Sequence, residues 1–148
     1  MTTIRKGVKE DLPVVLELIQ ELADFEKEPD QVATTVESMQ RDGFGDQPLY
    51  GFYVAESAGA IIGMALFYYR YSTWKGKRLY LEDLIVTDKA RGTGAGKLLF
   101  DQTIAHGKEN QCTGMMWQVL DWNESAIDFY KRNHAETDGS WLNCHLDW

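Results

Sequence analysis

A glycine-rich turn between a strand-like run and a helical pattern is the feature that most constrains the fold. The run "RLYLEDLIV" (78–86) is rich in apolar residues, and "RGTGAGKLL" (91–99) follows it closely. Apolar residues then recur at helical spacing until a break near 107–110. A strand, a tight turn and a helix joined in this way favour an α/β architecture.

The N-terminal part predicts one short strand and two helices. The strand covers 2–6, and the first helix begins after Asp11 as its N-cap and ends near Lys27. A capping box from Thr34 to Glu37 predicts the start of a short second helix.

Further strands and one more helix are predicted along the chain. The runs 51–57 and 60–71 are rich in β-branched and aromatic residues, and only "AG" separates them, which is typical of a hairpin. Strands are also predicted at 114–120 and 139–148, with a helix at 124–132 between them. Because strands come first as a meander and later alternate with helices, we expect one α/β domain with a mixed sheet.

Charge and composition exclude several classes of protein. The chain has 148 residues, close to the commonest size of one domain, so we expect a single domain over 1–148. Its 15 Lys and Arg against 23 Asp and Glu give a formal net charge of -8, which disfavours nucleic acid as a partner and favours cations. No apolar run approaches the roughly 20 residues of a membrane-spanning helix, so we expect a soluble protein with no membrane partner.

Location and metal content follow from the termini, cysteines and histidines. The N-terminus has no apolar signal core, and Cys112 and Cys144 are too few for a disulfide framework, so we expect cytoplasmic residence. His106, His134 and His145 show no metal-ligand spacing with either cysteine, and we expect no metal.

The glycine-rich turn fits neither of two familiar phosphate motifs. Gly92 and Gly96 enclose three residues where a P-loop needs four, and Lys97 stands where the dinucleotide fingerprint needs its third glycine. The turn can still hold an anion, since glycines let successive N–H groups converge at a helix N-terminus. The alternative is that the glycines only permit a tight strand-to-helix turn.

The pattern Arg91-x-x-Gly94-x-Gly96 resembles the acetyl-CoA pyrophosphate loop of the GNAT superfamily of N-acetyltransferases. The stretches "LIQELADFEK", "DGFGDQPLY", "YSTWKGKRLYLEDLIV" and "VLDWNESAIDFYKR" also resemble the spermidine/spermine acetyltransferase group of that superfamily. Within the group, "YSTWKG" and "VLDWN" are more similar to the thialysine acetyltransferase branch, since Ser72 stands where polyamine acetylators place an aspartate. His134 departs from the glycine usual in the family.

This resemblance implies a fold and an activity. The fold would be a mostly antiparallel, twisted sheet flanked by helices, splayed so that acetyl-CoA can lie along it. The activity would be direct transfer of the acetyl group to a primary amine of a small cationic acceptor, with a thialysine-like or lysine-like amino acid first. Polyamine acetylation, protein lysine acetylation and non-catalytic acyl-CoA binding are the alternatives. Members are commonly homodimers, so a homodimer is expected.

The resemblance also assigns roles to residues. Glu82 draws a proton from the amine through water, Asp83 lies close to the acceptor, and Tyr130 protonates the departing CoA sulfur. Trp74, Glu26 and Glu28 are the other candidates for the acceptor side. The cofactor residues are Leu84, Ile85, Val86, Arg91, Gly92, Thr93, Gly94, Ala95, Gly96, Lys97, Asn123 and Tyr130.

The residues themselves support a base near the acceptor but leave its geometry open. At pH 7 an alkyl ammonium is neutral in only about one molecule in 10³, so a base is useful. Strand alternation puts Glu82 on one face with Tyr80 and Leu84, and Asp83 on the other face unless a bulge intervenes. On this pattern the two acids are not expected to act as one paired site.

Each candidate also has a purely structural interpretation. Glu82 could make an ion pair or face solvent, and Tyr130 could be a core residue with a wet hydroxyl. Asn123 could be the N-cap of the helix at 124–132. Trp74 could be a dimer contact, and Glu28 could belong to a solvated acidic turn.

Overall fold

Five strands form one sheet in the order β1-β2-β3-β4-β5 in the computed structural model, which describes residues 1–148. Neighbouring strands pair antiparallel except β4 and β5, which pair parallel. This confirms a mixed, mostly antiparallel sheet. The strands are β1 (Thr2–Lys6), β2 (Gly51–Ser57), β3 (Ala60–Ser72), β4 (Gly76–Val86) and β5 (Met115–Met116).

The helices lie where the sequence predicts them, with one correction at a cap. They are α1 (Leu12–Phe25), α2 (Val36–Phe44), α3 (Ala95–Glu109) and α4 (Glu124–Arg132). The capping box of α2 was expected from Thr34 to Glu37, but the structure forms it one residue later: Thr35 Oγ1 accepts the N–H of Ser38, and Ser38 Oγ accepts the N–H of Thr35. The hydroxyl of Ser38 therefore accepts the backbone bond of the capping box, a role expected of the Glu37 carboxylate.

Helices cover both faces of the sheet. One face packs against α1 and α2 through a buried cluster formed by Leu12, Val15, Leu18, Met39, Phe52, Val54, Met64, Leu66 and Ile85. On the other face, α3 contacts the sheet through His106, whose ring lies 4.5 Å from that of Phe67, and through Gly107 beside Leu79. Because strand side chains alternate between the two faces, the sheet contributes to two cores, one on each side.

A β-bulge interrupts the pairing of β3 with β4. Leu66 lies opposite Asp83 and Phe67 lies opposite Leu81, so Glu82 is an extra residue with no partner on β3. Since β3 runs without a break here, the bulge shifts every later residue of β4 to the other face. Asp83 therefore shares the α1 face with Leu66, and Leu84, opposite Ala65, faces α3.

Two predicted strands near the C-terminus were wrong or too long. The run 114–120 forms a strand only at Met115–Met116, and 139–148 contains no strand or helix. Both runs have strand-forming composition, but a strand also needs a hydrogen-bonded neighbour. Apolar side chains of the last segment are exposed, among them Trp141, Leu142, Leu146 and Trp148.

The chain divides into two compact units, Met1–Trp117 and Gln118–Trp148. The first contains the whole sheet and α1 to α3. The second contains α4, and in it Gln118 Nε2 donates to Asn143 Oδ1 at 2.6 Å. None of the helices has both the length and the apolar character required to cross a bilayer.

Candidate active site

The bulge of β4 presents Glu82 and Asp83 in different ways. Glu82 is exposed, as expected of a residue that has no partner on β3. Asp83 is half-buried on the α1 face, the same face as Tyr80, which lies opposite Tyr68. Simple alternation would put Glu82 on one face with Tyr80 and Leu84, and Asp83 on the other, unless a bulge intervenes. The bulge does intervene: Asp83 lies on the face of Tyr80, and Leu84 lies on the other face. Glu82 interacts with Tyr68 on the same face as Tyr80.

Asp83 is the most strongly perturbed acid of the site. Burial raises its pKa to about 7, and the negative charges of Glu82 and then Glu26 add to the rise. Glu26 follows the last residue of α1, and burial raises its pKa as well. The carboxylates of Glu82 and Asp83 thus interact electrostatically, contrary to the expectation from simple alternation. A cation placed among them would relieve this repulsion.

Two tyrosines border these carboxylates. The rings of Tyr68 and Tyr80 lie 5.1 Å apart, and the guanidinium of Arg70 lies 5.7 Å from the centre of the Tyr80 ring. Burial and then the charge of Glu82 raise the pKa of both tyrosines. Their hydroxyls therefore stay protonated at neutral pH, beside an exposed carboxylate. Sequence reasoning missed Tyr68, because its position opposite Tyr80 depends on the strand register.

The sheet opens on the other side of β4. Strand β5 pairs with β4 only at Leu79 and Tyr80, and β4 continues alone on that side to Val86. The backbone groups of residues 81–86 that point away from β3 thus have no strand partner. Among these residues Ile85 is buried, while Leu84 and Val86 are half-buried. An open strand edge of this kind can accept the amides of an extended ligand.

The glycine-rich turn forms the N-terminus of α3. Gly94 is the N-cap of the helix with φ +86, a left-handed conformation that favours glycine, and no side chain caps the first N–H groups. A Cβ built on Gly92 or Gly94 would meet nothing within 4 Å, so the turn is open on its outer side. Ala95 is buried beneath it, and Gly96 is half-buried. Uncapped N–H groups at the start of a long helix can hold a phosphate.

The other side chains of the turn have local partners. Thr93 Oγ1 donates to the carbonyl of Ala90 at 2.7 Å, and Lys97 pairs with Asp101 at 2.7 Å along the exposed side of α3. The Arg91 guanidinium lies 3.8 Å from the carboxylate of Asp88. The two ion pairs are on the surface, where such pairs are weak and can be exchanged for a ligand.

Asn123 and Tyr130 belong to the second unit. Asn123 Oδ1 accepts the N–H of Ala126 at 3.3 Å, so Asn123 is the N-cap of α4, the structural interpretation of that residue. Tyr130 is half-buried in the last turns of α4, and its ring lies 5.5 Å from that of Phe129 in an edge-to-face arrangement.

Trp74 and Glu28, predicted on the acceptor side, lie on exposed turns, and Ser72 ends β3 beside the first of these turns. Trp74 is 84% exposed at the tip of the β3–β4 hairpin, and Glu28 is exposed beyond the end of α1. Ser72 Oγ accepts the N–H groups of Trp74 and Lys75 at 3.2 and 3.0 Å, so its hydroxyl stabilises the hairpin turn. An aspartate could accept the same two bonds, so the turn geometry is compatible with either residue at this position.

No group of three or more His, Cys, Asp and Glu side chains in the structure is arranged to hold a metal ion. The site consists of carboxylates at a strand bulge, an open strand edge and an uncapped helix N-terminus, in that order along the chain.

Comparison with known proteins shows that the chain is an acyl-group transferase and names its family. The model of the acetyltransferase (GNAT) family matches residues 15–135. The chain belongs to this family, whose members use acetyl-CoA as cosubstrate, and it is an N-acetyltransferase.

Similar proteins agree with this assignment. The chain is 39% identical over 141 residues to thialysine N-epsilon-acetyltransferase of Bos taurus, which covers 90% of this chain and 83% of that protein. It is 37% identical over 139 residues to spermidine/spermine N(1)-acetyltransferase-like protein 1 of Homo sapiens, covering 89% of this chain and 20% of that protein. The crystal structure of an aminoglycoside acetyltransferase from an uncultured soil metagenomic sample has the same fold, with a TM-score of 0.81 and 21% identity over 99% of this chain and 97% of that one.

Proposed function

We propose that this protein transfers an acetyl group from acetyl-CoA directly to a primary amine of a small cationic acceptor, with a thialysine-like or lysine-like amino acid as the preferred one. The observation that carries the proposal is the pair Glu82–Asp83 at the bulge of β4, where burial and mutual repulsion of carboxylates favour a bound cation. The names of the similar proteins support the choice of acceptor.

The cosubstrate fits the strand edge and turn that follow this pair. In the proposal the open edge at Leu84, Ile85 and Val86 receives the pantetheine amides. The pyrophosphate lies on the N–H groups at the start of α3, and Arg91 and Lys97 add positive charge. The residues of the turn are Arg91, Gly92, Thr93, Gly94, Ala95, Gly96 and Lys97.

Two side chains carry the proton transfers in the proposed reaction. The nitrogen of the neutral amine bonds to the acetyl carbon as the bond from that carbon to sulfur breaks. Glu82 first takes a proton from the acceptor ammonium through water, which makes the amine neutral. Tyr130 gives its hydroxyl proton to the leaving sulfur, and the second proton that the nitrogen loses as the amide forms restores the Tyr130 hydroxyl through water. Asp83 and Glu26 hold the acceptor cation, with Trp74 and Glu28 at the exposed rim. Asn123 orients the start of α4, the helix that carries Tyr130.

Assembly and location complete the proposal. We place residues 1–148 in one N-acetyltransferase domain, since the family match spans both compact units. Members of the superfamily are commonly homodimers, and this resemblance supports a homodimer. Light scattering measures the molar mass that tests it. The two free cysteines are compatible with the reducing cytoplasm, where acetyl-CoA is available. The net charge of -8 supports the absence of a nucleic-acid partner.

The test is an acceptor panel. Purified protein is mixed with acetyl-CoA, and free thiol is followed with thialysine, lysine, spermidine, spermine, a lysine-containing peptide and no acceptor at one pH. Faster release with thialysine or lysine supports the proposal. Faster release with spermidine or spermine favours the polyamine alternative, and release only with peptide lysines favours a protein acceptor. Saturable CoA binding without release would indicate a non-catalytic module.

Substitution of Glu82 tests its role as base. We expect Glu82→Gln to lower kcat by about 10²-fold, because the proton loses its acceptor, while the KM for the amine changes little. Glu56→Gln, which alters an acid of β2, is the control and keeps kcat. A rise in KM with an unchanged kcat would show that Glu82 binds the cation and is not the base.

A further inference from the structure

Helix α1 contacts the segment that precedes the glycine-rich turn through one carboxylate. Glu21 Oε2 accepts the hydroxyl of Thr87 at 3.0 Å, and Glu21 Oε1 accepts the backbone N–H of Asp88 at 2.9 Å. These contacts join residues that are 66 and 67 positions apart in the sequence. Glu21 is half-buried, and its bond to Thr87 is partly buried, whereas its bond to Asp88 is exposed.

These bonds hold the first residue of a short 3-10 turn, Asp88–Ala90. Thr87 is its N-cap but makes no side-chain cap bond to it. Glu21 therefore supplies from α1 the acceptor that the turn lacks. Further local bonds continue from there: the N–H of Ala90 donates to Thr87 O at 2.9 Å, and Thr93 Oγ1 donates to Ala90 O at 2.7 Å. The contact of Glu21 thus orients the backbone as far as the glycines.

A second side chain of α1 reaches the same segment. Phe25 follows Glu21 by four residues and so lies on the same side of the helix. The guanidinium of Arg91 lies 5.4 Å from the centre of the Phe25 ring, and Arg91 Nε donates to the carbonyl of Val86 at 3.4 Å. The ring and the carbonyl together fix where this cation stands.

We propose that Glu21 and Phe25 are positioning residues, which hold the segment 87–91 so that the N–H groups of the turn and the Arg91 guanidinium face one diphosphate. The inference rests on the proposed binding of acetyl-CoA at this turn. Charge alone does not explain why Glu21 is an acid, since a carboxylate near a diphosphate weakens binding by repulsion. The two hydrogen bonds that Glu21 accepts from the segment 87–91 explain it.

The test separates binding of the diphosphate from general stability. Glu21→Ala is compared with wild type and with Glu17→Ala, an exposed acid one turn earlier on α1. Calorimetry measures the Kd of CoA, and kinetics compare acetyl-CoA with S-acetylpantetheine, which lacks the pyrophosphate. We expect Glu21→Ala to weaken CoA binding by about 5- to 20-fold. The KM of the same variant for S-acetylpantetheine should stay within about twofold of wild type, and so should the Kd of CoA for Glu17→Ala.

Thr87→Val tests the same contact independently, because it removes the hydroxyl that donates to Glu21. It should weaken CoA binding in the same direction, and combining it with Glu21→Ala should add less than the sum of both effects. Unchanged or tighter CoA binding in both single variants would overturn the inference, as would an equal loss for S-acetylpantetheine. If wild type itself does not bind CoA, the proposed function fails, which is a different result from a variant that matches a binding-competent wild type.

Discussion

Among single residues, Asp83 has the clearest consequence for pH dependence. Burial and the charges of Glu82 and Glu26 raise its pKa to about 7, whereas an unfolded chain has the ordinary value of 3.8. Between these pH values the folded protein holds a proton at Asp83 that the unfolded chain has released. The contribution of Asp83 to stability is therefore fully present below about pH 4 and is lost as pH rises through about 7.

Asp83→Asn should remove this pH dependence, since the amide mimics the neutral acid. We expect the variant to exceed wild type in free energy of unfolding by about 2–4 kcal/mol at pH 8, and by little at pH 4. Urea unfolding at both pH values measures the difference. Asp46→Asn, an exposed aspartate, is the control and should follow wild type. Parallel profiles of the Asp83 variant and wild type would contradict the prediction.

Tyr130 tests the other end of the proposed reaction. Tyr130→Phe should lower kcat by about 10- to 100-fold, because the leaving sulfur loses its proton donor, while the Kd of acetyl-CoA stays within about twofold. Stopped-flow thiol release and calorimetry measure the two quantities. Tyr71→Phe, on a tyrosine that is 76% exposed, should keep kcat. Equal kcat in the Tyr130 variant and wild type would exclude the role.

The sequence identified which residues belong to the candidate site better than it predicted where their side chains lie. The family resemblance identified Glu82 and Asp83 as candidates from their place in the strand. Their faces depended on whether a bulge intervenes, and a bulge depends on how two distant segments pair and leaves no mark in one strand alone. For the same reason neither Tyr68 nor the contact of Glu21 with Thr87 could be found from the sequence.

Among the elements, the turn before α3 depends on the conformation of one glycine. Gly94→Ala forces an alanine to φ +86 and should reduce stability by about 1 kcal/mol. It should also weaken CoA binding by about tenfold, because the first N–H groups of α3 turn away from the anion. Gly59→Ala is a matched control, since Gly59 has φ +79 and equally open surroundings in the β2–β3 hairpin.

Calorimetry with CoA and thermal unfolding of both glycine variants distinguish strain from function. Both variants should lose similar stability, and only Gly94→Ala should lose affinity. A similar affinity for CoA in the two would show that the turn serves the fold alone.

The elements with strong local signals were predicted well. The hairpin at 51–57 and 60–71 is confirmed because a two-residue turn and strand composition act over short distances. The helix at 124–132 is confirmed for the same reason, with Asn123 as its cap. The strands at 114–120 and 139–148 failed because strand formation depends on a partner elsewhere in the chain.

For the whole molecule, the negative charge should govern encounter with the acceptor. With a net charge of -8, the protein attracts a cationic amine, and salt screens this attraction. We expect the KM of the amine to rise by about two- to fivefold between 50 and 500 mM NaCl, at a nearly constant kcat. Sucrose of matched osmolality is the control. A KM independent of salt would show that the net charge of the protein does not attract the amine, and that only the carboxylates of the site do.

Fold class and family could be recognised for the whole molecule because their signals are distributed along it: the family match covers 15–135, and the motifs occur in the expected order. The acceptor could not be fixed in this way. One cation-binding site accommodates several amines, and the differences in binding that select among them are about 1–3 kcal/mol.

The bulge at Glu82 also has an evolutionary consequence. If this one residue were deleted, Leu81 and Asp83 would become neighbours, and they already pair with the neighbours Phe67 and Leu66. The shortened strand would continue without interruption, with every other pair in its present register. Folding alone would therefore tolerate the loss of Glu82, and the proposed role of Glu82 as base gives a lineage a reason to keep the irregularity.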